Sequence, residues 1–233
     1  MGTRREHHRR RVSRCARSPD LGARGGRMTV VVLGASGGTG RELVAQALAR
    51  GLQVRALVRN PEAAAFAAHP LLDVVRADVH RAEQIADSVG PGDVLVSGLG
   101  VARRSEAGTL TAGATAVVNA HPARIVWLGA MGTGASQPAV SAPIGWMLRT
   151  GFGPEYGDKV AADEAVLAAG GVVVHSGPLS DKPDDQAVAL APLSTMPRQF
   201  FPAGASRAGI ARLMLDIATG TLFEPGLLAV RPR

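Results

Sequence analysis

Val30-Val31-Val32-Leu33-Gly34-Ala35-Ser36-Gly37-Gly38-Thr39-Gly40 is an apolar run that enters a loop with glycines at 34, 37 and 40. The next stretch, Arg41 to Arg50, reads as a helix and closes at Gly51. Strand, glycine loop and helix in that order form the context that a dinucleotide-binding loop requires. Each glycine has a mechanical task. Gly34 permits the tight turn out of the strand, Gly37 lets backbone N–H groups approach a pyrophosphate, and Gly40 lets the helix pack closely on the sheet. The helix N-terminus then offers free N–H groups and the positive end of a dipole to phosphate. The apolar run Val54 to Val58 completes a strand–helix–strand unit of about 30 residues. In a chain with 29 glycines among 233 residues the spacing alone is weak evidence, and this context gives it weight.

Composition narrows the class. Hydrophobic residues make up 46% of the chain and aromatics 3%, so the core must be built from Ala, Val and Leu. No run of about 18 apolar residues is present, so no membrane span is expected. The single cysteine, Cys15, rules out a disulfide framework within the chain and fits a reducing, cytoplasmic setting. The net charge of +7 belongs to residues 1–27, which hold nine arginines against Glu6 and Asp20. Residues 28–233 balance to zero. The tail has almost no large apolar residues with which to offset its ordering entropy, so it reads as disordered. An arm with weak attraction to polyanions, an Arg-rich transit peptide, or a stretch ahead of a true start at Met28 all remain open. Neither a membrane nor a specific nucleic-acid partner is implied, and the oligomeric state is undetermined.

From Met28 onward strand and helix signals alternate. Strands are expected near 28–33, 53–58, 71–76, 93–97 and 124–128, with helices near 39–50, 81–89 and 107–120 and a short one opened by Asn60-Pro61. The strands are continuous apolar runs, as in a parallel sheet covered on both faces. Residues 129–157 read as a loop region holding Met131, Trp146, Met147, Phe152 and Tyr156. A helix over 158–169, a strand at 172–175, a proline-rich stretch, a helix near 206–218 and a last strand near 227–230 complete the chain. The expected architecture is α/β: a doubly wound parallel sheet, the Rossmann fold, with a small irregular C-terminal substrate region, as one domain over 28–233.

The glycine loop, Leu57-Val58-Arg59-Asn60-Pro61, Ala77-Asp78-Val79 and Trp127 to Gly134 together resemble the atypical short-chain dehydrogenase/reductase proteins, in the NAD(P)H-binding branch near NmrA-like proteins and biliverdin/flavin reductases. Asp158-Lys159 to Glu164, Gly177 to Asp181 and Ser206 to Ala211 are looser C-terminal landmarks of the same resemblance, which covers roughly residues 28–233.

NAD-preferring sites of this fold carry an acid after the second strand, to bind the ribose 2′-hydroxyl. Here Val58 is followed by Arg59, whose guanidinium can pair with a 2′-phosphate, so NADP(H) is expected, with NADPH preferred over NADH. Ser36 and Thr39 can donate hydroxyls to phosphate. The resemblance places Asp78 beside the adenine amino group; an Asp there also suits a helix N-cap near Arg81. Ser97, Gly98 and Gly100 end the fourth strand at the carboxyl edge, where ligands lie in open α/β sheets. The proton-relay pattern that the resemblance implies, Tyr-x-x-x-Lys with an upstream Ser, is altered. Lys159 follows Tyr156 by three residues, and Gly129-Ala130 stand in the Ser position. Tyr156, Lys159 and His175 are the candidate catalytic side chains, with His175 weighed as a proton donor against a satisfied structural histidine. Met131, Trp146, Met147 and Phe152 could form an apolar acceptor site, or simply core.

No zinc-type Cys/His cluster, P-loop lysine or Gly-x-Ser-x-Gly elbow is present, so no metal or serine-hydrolase chemistry is expected. The sequence thus points to an NADPH-dependent oxidoreductase passing hydride to a small or flat organic acceptor such as a flavin, quinone or carbonyl. A redox-sensing NADP(H)-binding protein without turnover is the alternative. An enzyme like the sugar-nucleotide epimerases is a third reading.

Overall fold

A computed structural model describes residues 28–100, 108–184, 187–220 and 225–232. The arginine-rich segment 1–27, with its Cys15, lies outside them. The first half alternates as β1 (Thr29–Leu33), α1 (Gly38–Ala49), β2 (Gln53–Val58), α2 (Pro61–Ala64), β3 (Leu72–Arg76), α3 (Ala82–Ala86), β4 (Val94–Ser97), α4 (Thr109–Asn119) and β5 (Arg124–Ala130). The second half follows as α5 (Ala142–Phe152), α6 (Pro154–Ala168), β6 (Val172–Ser176), β7 (Leu179–Ser180), β8 (Val188–Pro192), β9 (Ala205–Ser206), α7 (Arg207–Thr219) and β10 (Gly226–Pro232).

Eight strands form one sheet in the order β3-β2-β1-β4-β5-β6-β10-β8. All neighbours are parallel except the edge strand β8, which runs antiparallel to β10. The sheet is a Rossmann-type α/β fold with a less regular C-terminal part. Val30, Val31 and Val32 are each 0% exposed, which a strand achieves only when both its faces are covered. Val30 and Val32 pack towards Leu43, Val44, Ile210 and Met214 of α1 and α7. Val31 and Leu33 pack towards Ile85, Leu110, Val117 and Val166 of α3, α4 and α6. The alternation of side chains along each strand divides the core in this way, and each fully buried Val or Leu stabilises the fold by about 1.5–3 kcal/mol. The strand order reverses between β1 and β4, which opens a crevice at their carboxyl ends.

The expected loop over 129–157 is a correction. A 3-10 turn at Gly134–Ala139 and the whole of α5 occupy it, and α6 begins four residues before the expected 158. Gly145, Thr150 and Gly151 lie inside α5, and an interior Gly costs a helix about 1 kcal/mol, which hid it from propensity. Pro154 stands at the first position of α6, after Gly153 at φ 55°, so Tyr156 lies within the helix despite Gly157.

α4 starts beside the crevice, and α6 holds its first turn. The Asp158 carboxylate accepts N–H bonds from Leu110 at 3.0 Å and Thr111 at 2.8 Å, and the Thr111 hydroxyl at 2.6 Å. Burial pushes the Asp158 carboxyl up, but hydrogen bonds from the Thr111 side chain and from the Thr111, Leu110 and Gly108 backbone outweigh it, and the group sits below its ordinary 3.8. A lowered folded value means that this stabilisation is fully present above the ordinary carboxylate range and is lost as pH falls through the folded value. Asp158→Ala is expected to cost about 1–2 kcal/mol near neutral pH. In denaturant titrations the gap from wild type should narrow as pH drops below 4; a gap independent of pH would refute the capping role.

Candidate functional site

Three backbone segments meet at the crevice with almost no space between them. Gly34 lies at φ 71°, and a Cβ there would stand 2.9 Å from Leu99 Cα. A Cβ on Gly40 would stand 2.2 Å from the Gly34 carbonyl oxygen and 2.7 Å from Ala35 Cα. One on Gly98 would meet Gly40 N at 3.1 Å. The Gly37 N–H donates to the Gly34 carbonyl at 3.0 Å, and the Gly98 N–H to the Leu33 carbonyl at 3.1 Å. Gly37 is the N-cap of α1, in an extended conformation with no side chain to occupy the helix's first N–H groups. Those groups therefore remain available to a ligand phosphate.

The resulting cleft is about 470 Å³. Its floor is Gly34, Ser36, Gly37, Gly38 and Thr39. Arg59, Asp78 and His80 line the cleft beyond β2 and β3, among the apolar Val58, Ala77 and Val79, and Leu128 and Leu179 line it beyond β5 and β6, while Leu99 turns towards Val79 and Gly113. Gly100 and Thr109 stand on the rim, on either side of 101–107, which lie outside the described residues. A larger hollow of about 700 Å³, lined by Met196, Phe201 and Arg231 among others, contains none of the glycine loop.

Of the residues expected to bind cofactor, nine line this cleft: Gly34, Ser36, Gly37, Gly38, Thr39, Arg59, Asp78, Gly98 and Gly100. Gly40 and Ser97 act one layer beneath it. Gly40 lets α1 dock, and the Ser97 hydroxyl, 1% exposed, accepts the Leu99 N–H at 3.2 Å and so shapes the exit of β4. Asp78 Oδ1 accepts the His80 N–H at 3.0 Å, while the Asp78 N–H donates to Gln84. The carboxylate orders its own turn; the helix that follows is capped at Arg81. Arg41 is occupied elsewhere: it donates to the Ala64 carbonyl at 2.8 Å and to the Ser36 carbonyl at 3.2 Å, and lies over the Phe66 ring.

The side chains expected to be catalytic do not line the cleft. Tyr156 and Lys159 share one face of α6 but turn towards α5. Lys159 Nζ lies 5.0 Å from the Phe152 ring centre, and the Arg149 guanidinium 5.4 Å from that of Tyr156. The Tyr156 hydroxyl is enclosed and has no partner among the described residues. His175 is 1% exposed, with Nδ1 2.7 Å from Ser136 Oγ and Nε2 2.8 Å from Asp163 Oδ2. Nε2–H can donate to Asp163, while the one Ser136 hydroxyl proton is shared between His175 Nδ1 and the Thr133 carbonyl, which lies 3.0 Å from Ser136 Oγ. These are the residue types of a hydrolytic triad, but Ser136 is 0% exposed and its oxygen already accepts the Gly132 N–H at 2.8 Å. No substrate carbonyl reaches it, and the trio works as a clasp between β6, α6 and the turn after β5.

The four residues expected at an acceptor site are also dispersed. Met131 is buried beside Val140 and Ala229, Trp146 is 70% exposed on α5 with Met147 next to it, and Phe152 lies under Lys159. The apolar residues that line the cleft beyond β5 and β6 are instead Leu128 and Leu179. Leu128 was recoverable from its place near the carboxyl end of a strand. His80 and Thr109 carried no local signal, and Leu179 and Arg207, though inside the landmarks Gly177 to Asp181 and Ser206 to Ala211, carried none for a place in the cleft, because tertiary packing brings all four to the glycine loop.

The glycine cradle, the helix N-terminus and the charged and apolar lining residues all suit a nicotinamide dinucleotide. Solved structures with the same fold include the anaerobillin reductase ChuY from Escherichia coli O157:H7, 19% identical over 87% of this chain and 96% of that one, with a TM-score of 0.70. They also include a short-chain dehydrogenase/reductase from Veillonella parvula in complex with NADP, 13% identical over 87% and 94% of the two chains, TM-score 0.68. A putative epimerase from Bacteroides thetaiotaomicron is 18% identical over 88% and 97%, TM-score 0.70. At these identities the likeness shows the fold. No curated protein matches the sequence. The model of the NAD(P)H-binding family matches residues 34–221, most of the chain, and the protein belongs to that family.

Proposed function

We propose that the protein is an NADPH-dependent oxidoreductase that passes hydride to a small or flat organic acceptor, such as a flavin, a quinone or a carbonyl compound. The observation that carries this reading is the glycine cradle at the α1 N-terminus, which lines one cleft together with the Arg59 guanidinium, the Asp78 carboxylate and the apolar Leu128 and Leu179. A nicotinamide bound in the cleft supplies the hydride. The glycine loop and the α1 N-terminus hold the phosphates, and Arg59 faces the adenosine end. Leu128 and Leu179 exclude water and orient a flat acceptor by apolar contact. Alignment of this kind is the protein's main contribution when the cofactor does the difficult chemistry. The decisive experiment is NADPH consumption against flavins, quinones and aldehydes, beside calorimetry of cofactor binding. Binding without turnover on any of them would favour the redox-sensor reading, which is supported by the position of Tyr156, Lys159 and His175 away from the cleft lining.

Arg59→Ala should weaken NADPH by about 1.5–3 kcal/mol, the worth of a hydrogen bond to a charged group, and leave NADH nearly unchanged. Equal losses by calorimetry would show that Arg59 does not read the 2′-phosphate.

Tyr156→Phe removes an enclosed hydroxyl that has no partner among the described residues, so stability should hold or rise by up to about 1 kcal/mol. Turnover should fall by less than tenfold, whereas loss of a working general acid costs about 10²–10⁴-fold. A drop of that size would reinstate a tyrosine mechanism.

A further inference from the structure

The loop from Gly34 to Gly40 has no basic side chain, and Arg41, which follows it, is turned away onto Ala64, Ser36 and Phe66. A pyrophosphate there would meet helix N–H groups but no cation from its own loop. A cation comes from far along the chain. Arg207 is the first residue of α7 and lines the cleft. α7 packs beside α1 and runs in the same direction: Gln46 donates to the Ala208 carbonyl at 2.9 Å, and Arg50 pairs with Asp216 at 2.9 Å. Its first turn is capped by Ser206, whose hydroxyl accepts the Gly209 N–H at 2.9 Å. This packing lays the Arg207 side chain over Gly38, the first residue of α1. A Cβ on Gly38 would stand 2.7 Å from Arg207 Cδ and 2.8 Å from Nε. The absence of a side chain at 38 therefore makes room for the arginine as well as for a ligand.

Nη1 of Arg207 donates to Asp181 at 2.6 Å, and the Asp181 carboxylate is 87% exposed. An ion pair so open to water contributes little to stability. What it does is restrict a flexible side chain, leaving the Nε edge of the guanidinium towards the loop. A planar guanidinium with five donors can hold one carboxylate and one phosphate oxygen at once.

We propose that Arg207 is a cofactor-binding residue that neutralises the pyrophosphate at the α1 N-terminus, and that Asp181 is the positioning residue that holds its guanidinium there. The assignment rests on the dinucleotide reading of the cleft. It differs in kind from the role given to Arg59, because the pyrophosphate is common to NAD and NADP whereas the 2′-phosphate is not.

The test is calorimetry of Arg207→Ala with NADP⁺, NAD⁺, ADP-ribose and 2′-AMP, with the melting temperature as a check on folding. The first three carry the pyrophosphate and should all weaken by a similar factor, about 10- to 100-fold. 2′-AMP lacks it and should change less than about twofold. Arg207→Lys keeps the charge without the fork and should recover part of the loss. Asp181→Asn should weaken the same three ligands by a smaller factor and add nothing in the Arg207→Ala background. Loss for NADP⁺ alone, or equal loss for 2′-AMP, would overturn the assignment of Arg207, as would unchanged binding of all four. Unchanged or tighter binding in Asp181→Asn would remove the positioning role. Wild-type protein that binds none of the four ligands would overturn the dinucleotide reading itself, an outcome distinct from the failure of Arg207 alone.

Discussion

Gly37→Val is expected to give a folded protein that no longer holds a dinucleotide. At φ −72° and ψ 167° the backbone of Gly37 is extended, a conformation that valine adopts readily. A Cβ there meets only the Gly34 carbonyl oxygen, at 3.3 Å, so the loop needs to give by a few tenths of an ångström. The rest of the side chain projects where a pyrophosphate must approach the first N–H groups of α1. Affinity for NADPH should fall by about a hundredfold or more, some 2.7 kcal/mol, while the melting temperature shifts by only a few degrees. Gly40→Val is the informative contrast. Its Cβ would press on backbone at 2.2 Å, which no rotamer relieves, so α1 must lift from β1. Stability should drop by about 3 kcal/mol or more, the upper range for overpacking. Calorimetry and thermal denaturation of the pair separate the ligand's glycine from the fold's glycine. Wild-type affinity in Gly37→Val would remove the basis for placing phosphate at this loop.

His175→Ala is expected to be the most destabilising single change outside the glycine loop, at about 3–5 kcal/mol in urea denaturation. It deletes a fully buried side chain, leaves the buried Asp163 carboxylate without its donor, and strips Ser136 of its imidazole partner. Protein that remains folded should keep wild-type affinity for NADPH, since the cleft is built from other residues. A loss under about 1 kcal/mol would mean that water replaces the imidazole in all its bonds, and the clasp would then not hold the turn after β5.

The first half of the fold was legible because each element announces itself within a dozen residues. Val30 to Leu33 is uniformly apolar, Gly34, Gly37 and Gly40 punctuate the turn, and Asn60-Pro61 opens α2 as expected, with the Asn60 side chain accepting the Ala63 N–H at 3.3 Å. α5 was not legible. Its glycines and threonine oppose helix locally, and packing against the neighbouring segments sustains it: Ser141 ahead of it bonds to Gln199 and Phe200, some sixty residues on. The antiparallel pairing of β8 with β10 has the same character, joining Val188 to Pro232 across more than forty residues. In the site the division is similar. The floor of the cleft is local to the sequence, whereas Arg207 reaches it through the α1–α7 contact and Leu179 through the pairing of β7 with β9. His175 shows the opposite failure. Its place at the end of a strand suggested chemistry, but the residues that claim both its nitrogens, Ser136 and Asp163, are separated from it by 39 and 12 positions.

The filled space beside Gly129 limits how this protein can change. A Cβ at that position would lie 2.5 Å from His175 Cδ2, 2.7 Å from Nε2 and 2.9 Å from Asp163 Oδ1. Gly129 is also one of the two residues, Gly129-Ala130, that stand in the relay-serine position under the dehydrogenase resemblance. Substituting serine there alone drives it into the imidazole, and shrinking His175 alone strands Asp163. Either single step is expected to lower stability, the first by overpacking and the second by leaving a buried carboxylate without its donor. A serine at 129 would therefore need accompanying changes at 163 and 175 to be housed without that loss.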